Sequence, residues 1–175
     1  FLTLRMPGLA VTLGALPDWL PKYLLLVLAL AVGAAWGARL ASALPRLAPR
    51  LAAGILLIGS LLAFLQPGLV AFHEIWAGLF VALSLALRRP GRWIEAVAVA
   101  LVAMLIRETA ALYVVVMALL AWREEQRKEA IGWGLALVLF AALLGVHAYA
   151  VAGVTGPLDP ASPGWAGLQG FGLFV

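Results

Sequence analysis

Arg107 and Glu108 are adjacent charged residues lodged between two apolar runs, Ile94 to Ile106 and Ala110 to Trp122. In a bilayer-spanning sequence an ionisable side chain at that depth costs roughly 2.5 to 3.5 kcal/mol and persists mainly where it meets a partner or a wet cavity. Neighbours on a helix point about 100° apart, so these two are poorly placed to neutralise each other, and each needs a partner of its own or a shared polar cavity. Arginine keeps a fixed charge and forks onto phosphate oxygens. A carboxylate can act as a base, orient a hydroxyl or hold an arginine in place. The same chemistry is available from His73-Glu74, from His147 and from Asp159. Two inward-set carboxylates (Glu74 and Glu108), an arginine and histidine would suit a lipid-linked anionic substrate.

Each of these residues also has a purely structural reading. Arg107 and Glu74 could be an ion pair that fixes helix packing, which puts them within salt-bridge or one-water reach. His73 and His147 fit hydrated positions near helix ends. Asp159, followed by Pro160, fits a helix N-cap with proline at the first helical position. Trp76, Trp93, Trp122 and Trp165 lie near the expected ends of apolar runs and read as interfacial anchors.

The elements that must position these groups are helices in a membrane. Hydrophobic residues make up 65% of the chain and charged ones 11%, with mean hydropathy +1.07, far from a soluble composition. The net charge of +4 sits in short loops between apolar runs, so membrane topology explains it better than nucleic acid does. Cysteine is absent, which excludes disulfides and thiol catalysis. No zinc-spaced Cys/His cluster, phosphate-cradling glycine loop or other cofactor motif is evident, and a divalent metal requirement stays open.

The fold class expected is an all-α polytopic transmembrane bundle of about six membrane segments. Residues 1–22, broken by Pro7, Pro17 and Pro21, form an interfacial lead with a turn at Asp18-Trp19. Residues 23–152 form the bundle, and residues 153–175, rich in Gly and Pro, an extracytoplasmic loop. Spans are expected over Tyr23–Leu44, Leu51–Leu65, Ile75–Leu87 and Ile131–Val151. Arg123–Glu129 reads as a mixed-charge loop. The chain begins at Phe1 without Met and stops within a Gly/aromatic stretch, as a piece of a longer protein would.

The two runs flanking Arg107-Glu108 hold about 13 residues each, or roughly 20 Å as helix, against a hydrocarbon core of about 30 Å. They are either one long helix with charges at its middle or two short helices meeting at a recess. No Gly or Pro marks the junction. Loop charge favours a turn: the clusters Arg39/Arg46/Arg50, Arg88/Arg89/Arg92 and Arg123/Arg127/Lys128 then share one side, which the positive-inside rule makes cytoplasmic. His73, Glu74, Arg107, Glu108, His147 and Asp159 would lie toward the other side, and Glu95 beside Arg92 at the cytoplasmic rim.

The run His73-Glu-Ile-Trp-Ala-Gly-Leu-Phe-Val-Ala-Leu-Ser-Leu-Ala-Leu-Arg88, followed by Leu105-Ile-Arg-Glu-Thr109, resembles the polytopic GT-C superfamily of glycosyltransferases. The likeness covers roughly residues 20 to 165, through the order of spans, an acidic residue opening a helix after a short outer loop, and the Arg-Glu junction. It implies transfer of a sugar from a polyprenyl-phosphate donor to an acceptor on the extracytoplasmic side, with inversion at the anomeric carbon. It also implies a place in a bacterial inner (plasma) membrane, within lipid. By the same likeness Arg107 and His73 would bind the donor phosphate, Glu108 and Glu74 would give catalytic support, and Asp159 and His147 would belong to the substrate-side loop. Such enzymes usually carry a catalytic Asp in a large first outer loop. None is present here, which places the main base upstream of Phe1. A transporter or flippase of a lipid-linked or anionic solute, and a non-catalytic membrane subunit, are the other readings. A transport path would carry ionisable groups toward both faces, whereas here those inside the spans gather toward one. Sugar, acceptor and oligomeric state are left open by these residues.

Overall fold

The computed structural model describes residues 7–63 and 66–154. Among them the chain is all-helical, without strands. The helices are α1 (Gly8–Gly14), α2 (Leu20–Ala43), α3 (Leu47–Ala63), α4 (His73–Leu87), α5 (Ile94–Ile106), α6 (Ala111–Arg123) and α7 (Arg127–Val154), with short 3-10 turns at Pro67–Leu69 and Glu108–Ala110. The closest pairings are α4 with α5 and α6 with α7; α4 also packs on α2, and α5 on α7.

Local sequence accounts for most of the breaks. Leu44 is extended because Pro45 follows it, and α2 stops there. Arg89 and Arg92 exchange backbone hydrogen bonds of 3.1 and 2.9 Å around Pro90-Gly91, and Gly91 has φ +75°, the arrangement of a turn with proline second and glycine third. Helix α6 ends with Gln126 N–H bonded to the Ala121 carbonyl and Glu125 N–H to that of Trp122. This C-terminal motif normally recruits glycine, and here Glu125 holds the left-handed position at φ 58°.

Helices α4 to α6 settle the junction at Arg107. Arg107 lies 3.2 Å from Glu74, in the first turn of α4, while Arg88, which caps the other end of α4, lies 2.5 Å from Glu124 just after α6. Residues 107 and 124 therefore stand at opposite ends of α4, and α6 must run back alongside it. The chain reverses after α5, so two short helices meet at a turn and a single long helix is ruled out. The reversal needs neither Gly nor Pro: Arg107 is extended (φ −144°, ψ 116°) and Glu108–Ala110 close a 3-10 turn. The cationic clusters accordingly gather at one end, with nine of the twelve Lys and Arg residues (39, 46, 50, 88, 89, 92, 123, 127 and 128). We call this the basic end, and the Arg107 side the opposite end.

Two helices, α2 and α7, are long and apolar enough to cross a membrane; α3, α4 and α5 are shorter apolar helices. At 1.5 Å per residue α2 and α7 are about 36 and 42 Å long, against about 20 Å for α5 and α6 and 22 Å for α4. Hydrogen bonds from Trp36 to the Ala82 carbonyl and from Arg39 to that of Ala86 set α2 parallel to α4. By that register α2 extends about 10 Å past the first turn of α4, and α7, running the other way from Glu129, about 15 Å past it.

Packing is small inside and large outside. Ala96, Ala100 and Ala103 form the buried seam of α5, meeting Val114, Met117 and Ala121 of α6 and Trp133, Ala136 and Phe140 of α7. Ile94 and Val102 of α5, Leu112, Val116 and Leu119 of α6, and Leu135, Val138 and Val146 of α7 face outward and exposed. A second core joins Leu9 of α1 to Leu25, Leu28, Ala29 and Val32 of α2, Trp76 and Leu79 of α4, and Ile106.

Several boundaries differ from the sequence reading. Helix α3 starts before Arg50, α4 already at His73, and α7 at Arg127. The lead is partly structural, because α1 docks Leu9 in the core with Ile106. Trp76 is buried, its indole N–H bonded to the Val70 carbonyl at 2.8 Å, so it is a core residue and no interfacial anchor. Trp122 is 68% exposed. Trp165, Asp159 and the expected loop from residue 155 onward lie outside the described residues.

Candidate functional site

The opposite end brings together two of the residues singled out above. Glu74 is placed by the first turn of α4, which starts after extended Phe72. Arg107 is placed by the break after α5. Their charged groups meet at 3.2 Å, with side-chain exposures of 20% for Arg107 and 45% for Glu74. The arginine is thus mostly buried, and its carboxylate partner remains accessible. This is the pairing expected from the sequence, and the guanidinium donors that do not face Glu74 have no partner among the described residues and could meet a second anion.

The ends of α2 and α7 project beyond this level, so the pair lies below the rim formed by the long helices. Below it, a mostly apolar recess of about 310 Å³ between α2, α3 and α4 is lined by Val32, Trp36, Leu61, Glu74 and Gly78 among others. Glu74 is the carboxylate in that wall.

The remaining candidates are placed less tightly. His73 is half-buried, and its Nδ1 is buried with no hydrogen-bond partner among the described residues. His147 Nε2 is in the same condition. By register His147 stands about one turn above the level of His73. Unpaired buried nitrogens of this kind call for a bound group or a water. Glu108 is half-buried in the 3-10 turn. Among the described residues no cluster of three His, Cys, Asp or Glu could hold a metal ion.

A second polar constellation escaped the sequence reading. At the basic end, Arg88 Nε donates to Glu129 at 2.6 Å and its Nη2 to Glu124 at 2.5 Å. The indole N–H of Trp133 donates to the same Glu129 oxygen at 3.0 Å. Trp133 stands edge-to-face with Tyr113, 6.0 Å between centroids. The Tyr113 hydroxyl lies 3.0 Å from that of Ser84, which bonds the Ala96 carbonyl at 2.7 Å. Burial by itself lowers the Arg88 pKa, but the hydrogen bonds and charges of Glu129 and Glu124 together outweigh it and hold the guanidinium above its ordinary value. Glu129 is therefore no loop residue: it is 3% exposed in the first turn of α7. The available signals were Ser84, polar within a long apolar run, and the i,i+4 spacing of Glu129 and Trp133.

No known protein family, curated protein or solved structure matches this chain.

Proposed function

We propose that this chain is the membrane-embedded part of a GT-C-like glycosyltransferase. In this reading it moves a sugar from a polyprenyl-phosphate donor to an acceptor on the side of the membrane opposite the basic loops. The observation that carries the proposal is the meeting of Arg107 and Glu74 where helices of about two thirds of the hydrocarbon thickness end, below the rim of α2 and α7. The exposed Leu, Val and Ile of α3, α6 and α7 around alanine-lined contacts support placing the bundle in lipid, where helices associate through small residues and bulky apolar ones face the tails.

In the proposed mechanism Arg107 takes the donor phosphate with the donors that Glu74 does not use, and Glu74 fixes its orientation. The apolar recess beside Glu74 takes the first part of the lipid tail. Glu108 supports the reacting end by orienting the acceptor hydroxyl, and His73 makes a lesser contact with the donor phosphate.

The test is donor binding by the chain purified in detergent, using a polyprenyl-phosphate sugar and, as a control, the same polyprenol without phosphate. Losing a charge-assisted contact of about 1.5–3 kcal/mol weakens binding roughly 10- to 150-fold in Arg107→Ala. Arg107→Lys keeps the charge but not the planar fork, and falls between the two. Near-normal donor binding by a well-folded Arg107→Ala protein would make the arginine a packing residue and remove the proposal.

A further inference from the structure

At the basic end an open cleft of about 720 Å³ lies between the last turns of α2 and the α4–α5 turn, lined by Trp36, Arg39, Leu40, Ser42, Arg89 and Pro90 among others. Its two charged groups are both arginines. The nearby carboxylates are already engaged: Glu124 and Glu129 line an adjoining recess that Arg39, Arg89 and Pro90 also border, and there they are bound by Arg88, while Glu95 is bound by Arg92. Glu125 occupies the left-handed position of the α6–α7 turn and does not line the cleft.

The cleft walls are held in place. Arg39 is half-buried, and its Nε donates to the Ala86 carbonyl at 2.8 Å; one turn earlier the Trp36 indole N–H donates to the Ala82 carbonyl at 2.9 Å. Ala86 offers one of the carbonyls left over at the end of α4, so this bond explains the Nε of Arg39. It does not use the two Nη groups, which have no partner among the described residues. Arg89 is carried by the doubly bonded Pro90-Gly91 turn, and its exposed side chain likewise has no partner. Two guanidinium ends without partners among the described residues thus border one cleft whose remaining wall is an indole, a leucine, a proline, two alanines and the Ser42 hydroxyl.

We infer that this cleft binds the phosphate of an anionic membrane phospholipid between Arg39 and Arg89, with the glycerol and first acyl carbons against Trp36 and Leu40. Guanidinium forks match phosphate oxygens, and basic pockets between membrane helices take anionic headgroups. The apolar wall and the exposed Leu47 and Leu51 of neighbouring α3 favour a lipid over a soluble phosphate compound. The inference rests on the membrane placement argued above, though not on the donor site at Arg107.

Native mass spectrometry of the purified chain tests it, with phosphatidylglycerol, phosphatidylcholine of the same acyl chains, or inorganic phosphate alone added. Phosphatidylglycerol is expected to stay bound at collision energies that strip phosphatidylcholine. Arg89→Gln, at a side chain the fold does not use, should weaken its retention about fivefold, near 1 kcal/mol for one basic group; Arg39→Gln should weaken it further, and Lys128→Gln, at an exposed basic residue outside the cleft, should leave it unchanged. Equal retention of both lipids, or an unchanged Arg89→Gln, overturns the site while leaving the membrane placement intact. Retention of neither lipid overturns both. Saturation by inorganic phosphate in place of lipid overturns the lipid assignment.

Discussion

Arg88 and Glu129 are 41 residues apart in the chain, yet their side chains meet at 2.6 Å, and Glu129 also accepts the indole proton of Trp133. A carboxylate this deep is tolerable because both neighbours donate to it; with neither, its desolvation would be uncompensated. The pair fastens the end of α4 to the start of α7, two helices that have little other direct contact.

Removing the cation should therefore be costly. Arg88→Ala leaves Glu129 buried without its charge partner, and we expect a loss of about 3–5 kcal/mol. Glu129→Gln still accepts from both donors and should lose clearly less. Thermal unfolding in detergent ranks the two, and Arg88→Ala as stable as Glu129→Gln would refute this account.

Gly132 receives the ring of Trp93, and a β-carbon there would fall within the indole. An aromatic ring yields little, so Gly132→Ala should cost about 1–3 kcal/mol, as overpacking does. Trp93→Leu should recover most of that cost when the two are combined. Equal penalties in the two backgrounds, read from a double-mutant cycle, would show that the contact is not the cause.

Arg107→Ala should barely change stability. Glu74 is 45% exposed, so losing the Arg107 charge should cost no more than about 1 kcal/mol, as for exposed pairs. Unfolding midpoints of wild type and variant in the same detergent check this. A drop as large as that of Arg88→Ala would mean that donor binding in this variant reports folding.

The chain has no native cysteine, so single introduced thiols report sidedness cleanly. Arg46→Cys, Arg89→Cys and Arg127→Cys should react with an impermeant reagent from the cytoplasmic side, and Asp18→Cys and Asp159→Cys from the outside. Reaction at positions 89 and 127 from opposite sides would contradict the return of α6 alongside α4.

Much of the architecture is legible in residue order because apolar runs, prolines and basic turns delimit the helices. The reversal at Arg107 is legible only indirectly, through loop charge, since the backbone turns there on one extended residue with no Gly or Pro to announce it. The Arg107–Glu74 pairing follows from two charges at helix ends that each need a partner. The network around Glu129 does not: a run such as Arg123–Glu129 looks like a hydrated loop until α5, packed against both α4 and α7, brings Arg88 over it. Trp76 misleads in the same way. Its place near a helix start suggests a boundary, whereas the bond to the Val70 carbonyl draws it inward.

The unequal helix lengths bear on the lipid itself. Helices of about 20 Å cannot match a hydrocarbon slab of about 30 Å, and a bilayer adjusts to a short apolar stretch by thinning around it. Beside α4, α5 and α6, on the side away from the basic end, the surface would dip, bringing water and headgroups down toward Arg107. A hydrophilic molecule approaching from outside would then cross less oil to arrive there, and a long-chain lipid could present its head without leaving its leaflet. Under the proposed transferase function, the shortness of three helices would bring the water boundary to the arginine that takes the donor phosphate.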